Sequence, residues 1–115
     1  GDFFVRFNIS YCTSGSRVIK MVGSTCYWNV AKCPEMTQYT NCVWISSLRN
    51  ALKENFTYKF VVANGNSAYL WESDPFRQFN GQNLINLAKK SPNGKYEDCL
   101  YSKIANVIYL QCFWR

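Results

Sequence analysis

Two short stretches carry side chains suited to holding a sugar. Tyr58-Lys59-Phe60 has the alternation of a strand, and Trp71-Glu72-Ser73-Asp74-Pro75-Phe76-Arg77 follows it. An indole at a strand end offers a flat apolar face to the C–H face of a pyranose, and polar neighbours such as Glu72 offer hydrogen bonds to its hydroxyls. Trp71 precedes a proline-containing turn, which places it at an exposed sheet end. Lys59 alternates with Phe56, Tyr58 and Phe60, which claim the core face, so its side chain is expected outside. Trp28 lies in a loop, where an aromatic held by nearby cysteines would be rigid and cheap to engage. Tyr39 and Trp44 are further candidate sugar contacts, whereas Trp114 is assigned to packing. Glu72 and Asp74 stand two apart and could be read as a catalytic carboxylate pair, but the turn preference of Asp before Pro accounts for Asp74 better.

The elements that must position these residues are short strands. Phe3, Val5, Phe7 and Ile9 alternate with Phe4, Arg6, Asn8 and Ser10, so the odd set should face the core and Asn8 the solvent. Residues 17–22 read as a second strand, 26–41 as an irregular loop pinned by cysteines, and 43–48 as a third strand. Residues 56–62 form the clearest strand, and Asn64-Gly65-Asn66 is a hairpin turn before a return strand over 68–72. Residues 82–90 have helical spacing, with Leu84, Leu87 and Ala88 on one side and lysines in the last turn. Pro92-Asn93-Gly94 reads as a turn, with strands over 96–101 and 107–113. Many short strands with frequent turns and one brief helix mean an antiparallel sandwich or an open barrel.

A chain of 115 residues makes one domain, and 48% hydrophobic with 17% aromatic content excludes disorder. No apolar run is long enough to span a membrane as a helix. The six cysteines, Cys12, Cys26, Cys33, Cys42, Cys99 and Cys112, contain no Cys-x-x-Cys pair, and there is no histidine. That excludes the common zinc patterns, implies no cofactor, and points to disulfides formed in an oxidising, secreted or extracellular setting. The six allow fifteen connectivities. Cys99 with Cys112 is the one pair singled out, because both lie near the C-terminal end. Asn8-Ile9-Ser10 and Asn55-Phe56-Thr57 are glycosylation sequons. Gly1-Asp2-Phe3 reads as a processed N-terminus. The net charge of +6 comes from scattered residues with Lys89-Lys90 as the only adjacent pair, so a solvated surface is expected rather than a nucleic-acid site. With no histidine and no nucleophile constellation, an enzyme is not expected.

The Tyr-Lys-Phe strand followed by Trp-Glu-Ser-Asp-Pro-x-Arg closely resembles the signature of the starch-binding domains, the family 20 carbohydrate-binding modules. The likeness covers residues 3 to about 79. It implies an all-β, immunoglobulin-like antiparallel β-sandwich, here with disulfides and one short C-terminal helix, as a single domain over 1–115. It also implies that Trp71 is the main stacking tryptophan and Lys59 a binding lysine. By the same likeness Trp28 falls near a second site-forming tryptophan, and Tyr39 and Trp44 near the aromatics of a second sugar site. The expected partner is α-glucan-like polysaccharide. The chain departs from the pattern at Phe76, where the family has Asn, in its cysteine framework, and in residues 80–115, which read as an extension. A different reading follows from those departures: a glycosylated, disulfide-rich structural subunit of a matrix or filament that reuses the fold as a homo-oligomer.

Overall fold

The computed structural model describes residues 2–115; Gly1, part of the N-terminus read as processed, lies outside them. The chain forms two packed sheets. In chain order the strands are β1 (Phe4–Ser10), β2 (Val18–Gly23), β3 (Thr37–Thr40), β4 (Val43–Leu48), β5 (Asn55–Asn64), β6 (Ser67–Trp71) and β7 (Arg77–Asn80). Among the described residues the one α-helix, α1 (Gly81–Lys90), precedes β8 (Asn93–Tyr96), β9 (Cys99–Ile104) and β10 (Val107–Cys112). One sheet has the order β3-β4-β1-β10-β9-β8. The other runs β2-β5-β6, with β7 pairing the first half of β5 and β6 the second. Neighbours are antiparallel except β1 and β10, which run parallel. Residues 80–115 thus supply three strands of the six-stranded sheet, and β10 lies directly against β1.

Period-two patterning explains the core. Val5, Phe7 and Ile9 from β1 meet Tyr58, Phe60 and Val62 from β5 between the sheets. Phe7 packs edge-on to Tyr58 at 5.8 Å between ring centroids. Leu84, Ile85 and Ala88 of α1 close one end of this core. The helix begins with Asn80, whose side chain accepts a hydrogen bond from the backbone N–H of Asn83.

The structure corrects several sequence expectations. The stretch 26–41 includes a strand, β3, all of whose residues are exposed. An edge strand with no buried face leaves no alternating pattern to read. Residues 93–94 belong to β8 rather than to a turn, because Gly94 lies under the Tyr101 ring, where a Cβ would come within 2.8 Å. The turn is instead Glu97-Asp98, both at positive φ. The hairpin after β5 does fall at Gly65-Asn66, with Gly65 at φ 63° as its first central residue.

Trp44 is a core residue, 3% exposed, and not a surface ligand contact. It pairs with Ile9 in the β1–β4 ladder, and partners in a ladder share a face. Asn8 is on the outer face as expected but only half-exposed, flanked by Gln111 and Ile45, and its Oδ1 is buried without a partner.

All six cysteines are paired: Cys12–Cys42, Cys26–Cys33 and Cys99–Cys112. Cys12–Cys42 ties the end of β1 to the start of β4. Cys99–Cys112 bridges directly opposed residues of β9 and β10. Cys26–Cys33 closes the loop that matters most for the site.

Candidate functional site

The loop between β2 and β3 folds back over the outer face of the smaller sheet. Two short turns of 3₁₀ helix, Ser24–Cys26 and Val30–Lys32, carry it across. Beneath it Val22, Cys26, Cys33 and Val61 form a second, small apolar cluster, with Trp28, Val30 and Ala68 packed against it. This covering corrects the expectation for Lys59. The side chain does point away from Tyr58 and Phe60, but the face it points to is not open, and Lys59 is 8% exposed. Lys20 is buried for the same reason and donates from Nζ to the Val30 carbonyl at 2.8 Å.

Within this loop Tyr27 and Trp28 both adopt the left-handed conformation, with φ 57° and 56°. Bulky L-residues resist that region by roughly 1–2 kcal/mol each. The Cys26–Cys33 bridge and a hydrogen bond from the Trp28 N–H to the Gly23 carbonyl, 2.9 Å, hold them there. Strain of this kind persists where surroundings over-determine it, often at binding sites. The held conformation places the Trp28 ring against Phe76, with centroids 4.9 Å apart and planes inclined at 50°.

Phe76 belongs to the loop that follows β6, and Lys59 reaches the same place from β5. Its Nζ is 5.3 Å from the Phe76 ring centroid, 2.5 Å from Asp74 Oδ1 and 3.4 Å from the Glu72 carbonyl oxygen. Two of the three donors of the ammonium are thus used within the protein. Trp71 ends β6 with 40% of its surface exposed. It pairs across the ladder with Val61, the residue that joins Trp28 in the small cluster. Trp28, Lys59, Asp74 and Phe76 therefore converge from three elements, with Trp71 alongside at the strand end.

Glu72 is not part of that surface. It is 2% exposed and forms a buried ion pair with Arg77, itself fully buried. Both Glu72 carboxylate oxygens accept from the Arg77 guanidinium, at 2.8 and 2.9 Å. Oε2 also takes the Phe60 N–H at 2.8 Å and Oε1 the Arg115 N–H at 3.3 Å. Arg77 in turn donates to the Glu97 carbonyl at 2.9 Å and to the Phe113 carbonyl. Burial works against the guanidinium charge, but the Glu72 hydrogen bonds and charge outweigh it, and the Arg77 pKa stands above its ordinary value. Glu72 and Arg77 of the Trp-Glu-Ser-Asp-Pro-x-Arg stretch thus anchor the loop from below, between Trp71 and Phe76 on its outer side.

Tyr39 is 68% exposed on β3, at the free edge of the larger sheet. Its expected companion Trp44 faces the core, so these two do not meet on a common surface. Sequence reasoning did not place Asp74 in the site, and it gave Phe76 only as an apolar replacement for the family's Asn. The signal for Phe76 was present in its being an aromatic where the family has an amide, directly after the proline.

A two-sheet sandwich with an aromatic-lined loop pair above its smaller sheet is the architecture of a carbohydrate-binding module. The family model described as starch binding domain matches residues 2–90, and the chain belongs to that family. It is 32% identical over 85 residues to a glucoamylase from Neurospora crassa, a match covering 68% of this chain and 14% of that protein. Among solved structures, the family 15 glucoamylase from Hypocrea jecorina aligns with 99% of this chain and 17% of its own, at TM-score 0.66 and 14% identity. The family 20 module of the maltotetraose-forming amylase from Pseudomonas saccharophila STB07 aligns at TM-score 0.60 and 14% identity. That alignment covers 96% of this chain and 99% of the module. The chain therefore spans a small part of the glucoamylases and nearly the whole of the isolated module.

If the disulfide holds the Trp28 loop rather than the whole domain, its removal should separate binding from folding. Replacing Cys26 and Cys33 together by serine releases a loop of seven residues, which by chain entropy costs about 2 kcal/mol, less than the roughly 3–4 kcal/mol for the thirty-residue Cys12–Cys42 loop. We expect the first double variant to fold, by circular dichroism, while its carbohydrate affinity falls. Unchanged affinity would show that Trp28 needs no such brace.

Proposed function

We propose that this domain is a non-catalytic module that holds α-glucan-like polysaccharide, with Trp71 and Trp28 as stacking faces and Lys59 as the hydrogen-bond donor between them. The observation that carries this reading is the convergence of Trp28, Phe76, Lys59 and Asp74 beside the exposed face of Trp71. Asp74, 86% exposed at its side chain, supplies a carboxylate that accepts from sugar hydroxyls and fixes the Lys59 ammonium beside Phe76. Phe76 replaces a hydrogen-bonding amide with a ring, so this site relies more on apolar contact and less on polar specificity.

We further infer a secreted or extracellular protein, since three disulfides among paired cysteines suit an oxidising compartment. Of the two sequons Asn55, exposed at the start of β5, is the more accessible acceptor.

The test is retention of the isolated domain on insoluble starch, together with affinity electrophoresis in gels containing soluble amylose. Dissociation constants between micromolar and millimolar are expected, roughly −4 to −8 kcal/mol. Trp28→Ala should weaken retention severalfold with the fold intact. A wild-type domain that migrates identically with and without glucan would overturn the reading.

A further inference from the structure

A second concave surface adjoins the loop that follows Trp71, to which Arg115 is bonded. It is a cleft of about 310 Å³ whose floor and walls come from Leu100, Phe113 and Trp114, with Lys95, Asp98 and Arg115 at its rim. Phe113 and Leu100 are 51% and 45% exposed, unusually open for their types. Trp114 is braced from behind by Tyr11, with ring centroids 4.3 Å apart. Lys95 and Leu100 are cross-strand partners of β8 and β9, so an ammonium and an apolar side chain stand next to each other on a rigid ladder.

The rim is ordered as firmly as the floor. The Arg115 guanidinium donates to Asp98 Oδ2 at 2.6 Å and to the Pro75 carbonyl at 2.7 Å. The Ser73 N–H donates to the Arg115 carbonyl at 3.1 Å. The Arg115 hydrogen bond and charge hold the Asp98 carboxyl below its ordinary pKa, so it is an acceptor near neutrality. Glu97 and Asp98 both sit at positive φ, at 50° and 62°, in the turn that presents this carboxylate. Anchored aromatic and aliphatic faces beside a fixed carboxylate, a guanidinium and an ammonium match one kind of ligand well. A pyranose has C–H faces to cover the rings and vicinal hydroxyls to bond the ionic groups. A docked apolar helix or a lipid chain would cover the Lys95 ammonium and the Asp98–Arg115 pair without replacing the water around them.

We propose that this cleft is a second sugar-binding site of the domain, taking another stretch of the α-glucan that engages Trp71. The inference rests on the α-glucan reading above. Arg115 links the two sites mechanically through its bonds to the 73–75 backbone. A polymer held at both gains from effective concentration, whereas a short oligosaccharide fills each separately.

The experiment follows the indole N–H resonances of Trp71 and Trp114 by two-dimensional NMR while maltoheptaose is added. Wild type should show both moving. In Trp71→Ala the Trp114 resonance should still move. In Phe113→Ala and in Lys95→Glu, both exposed positions, the Trp114 response should weaken about five- to tenfold, the loss of one stacking or one charge-assisted contact. The Trp71 response should persist in these two variants. A Trp114 resonance that stays still in wild type, or follows Trp71 and vanishes in Trp71→Ala, overturns the second site and leaves the first intact. Movement of Trp114 without Trp71 overturns the first site alone. If neither moves, both are wrong.

Discussion

Arg77→Met is expected to destabilise the domain by about 3–5 kcal/mol, the range found when one partner of a buried ion pair is removed. The Glu72 carboxylate would be left charged, enclosed and facing only the Phe60 and Arg115 N–H groups. The Glu97 and Phe113 carbonyls would lose their donor at the same time. For a domain of this length the melting temperature should fall by roughly 10–20 °C. The double change Glu72→Gln with Arg77→Met should recover part of the loss, since it removes the stranded charge. Calorimetric unfolding of wild type, single and double variants checks this. A single variant as stable as wild type would mean that the pair is dispensable, and the loop carrying Trp71 would need another anchor.

Trp71→Ala is expected to abolish most glucan affinity, by at least about tenfold, while leaving the melting temperature within a few degrees. Its indole is two-fifths exposed at the end of an edge strand, so the core loses little. No other ring takes its place, because Phe76 is committed to Trp28. Trp71→Phe should keep part of the affinity, since a smaller ring still offers a flat face. Lys59→Ala should weaken binding and stability together, because this lysine is enclosed and bonded to the very loop that bears Phe76. Isothermal calorimetry with a malto-oligosaccharide, alongside circular dichroism melts, separates these outcomes. Undiminished binding by Trp71→Ala would move the site elsewhere on the surface.

The sandwich was legible because its inner faces obey a strict alternation. Val5, Phe7 and Ile9, and Tyr58, Phe60 and Val62, announce buried faces whatever the pairing partners. What could not be read was which outer faces are covered. The strand pattern around Lys59 and Val61 has the right parity, yet a disulfide-closed loop far away in sequence decides that both are enclosed. Trp44 was misassigned because an aromatic at a strand start fits either face, and only its ladder partner Ile9 settles the side. Glu72 shows a related limit. A carboxylate beside a candidate stacking residue reads as a ligand contact until the depth of Arg77 is known. Trp71 and Trp28 were found from the motif and from loop position, and the assembly of Phe76 and Asp74 with them needed three-dimensional proximity.

The parallel pairing of β1 with β10 sets a condition on how the molecule comes into being. Within the domain, β1 is flanked on one side by β4 and on the other by β10, about a hundred residues further along the chain. Until residues 107–112 are available, one edge of β1 has its N–H and C=O groups unsatisfied and its apolar face incompletely covered. Contacts between residues so distant along the chain form late and slow the search for the native state. Such an open edge invites pairing with other chains. Closure of the larger sheet therefore waits on β10: until it is in place the edge of β1 stays open to pairing with other chains, and Cys99–Cys112 ties that strand to β9.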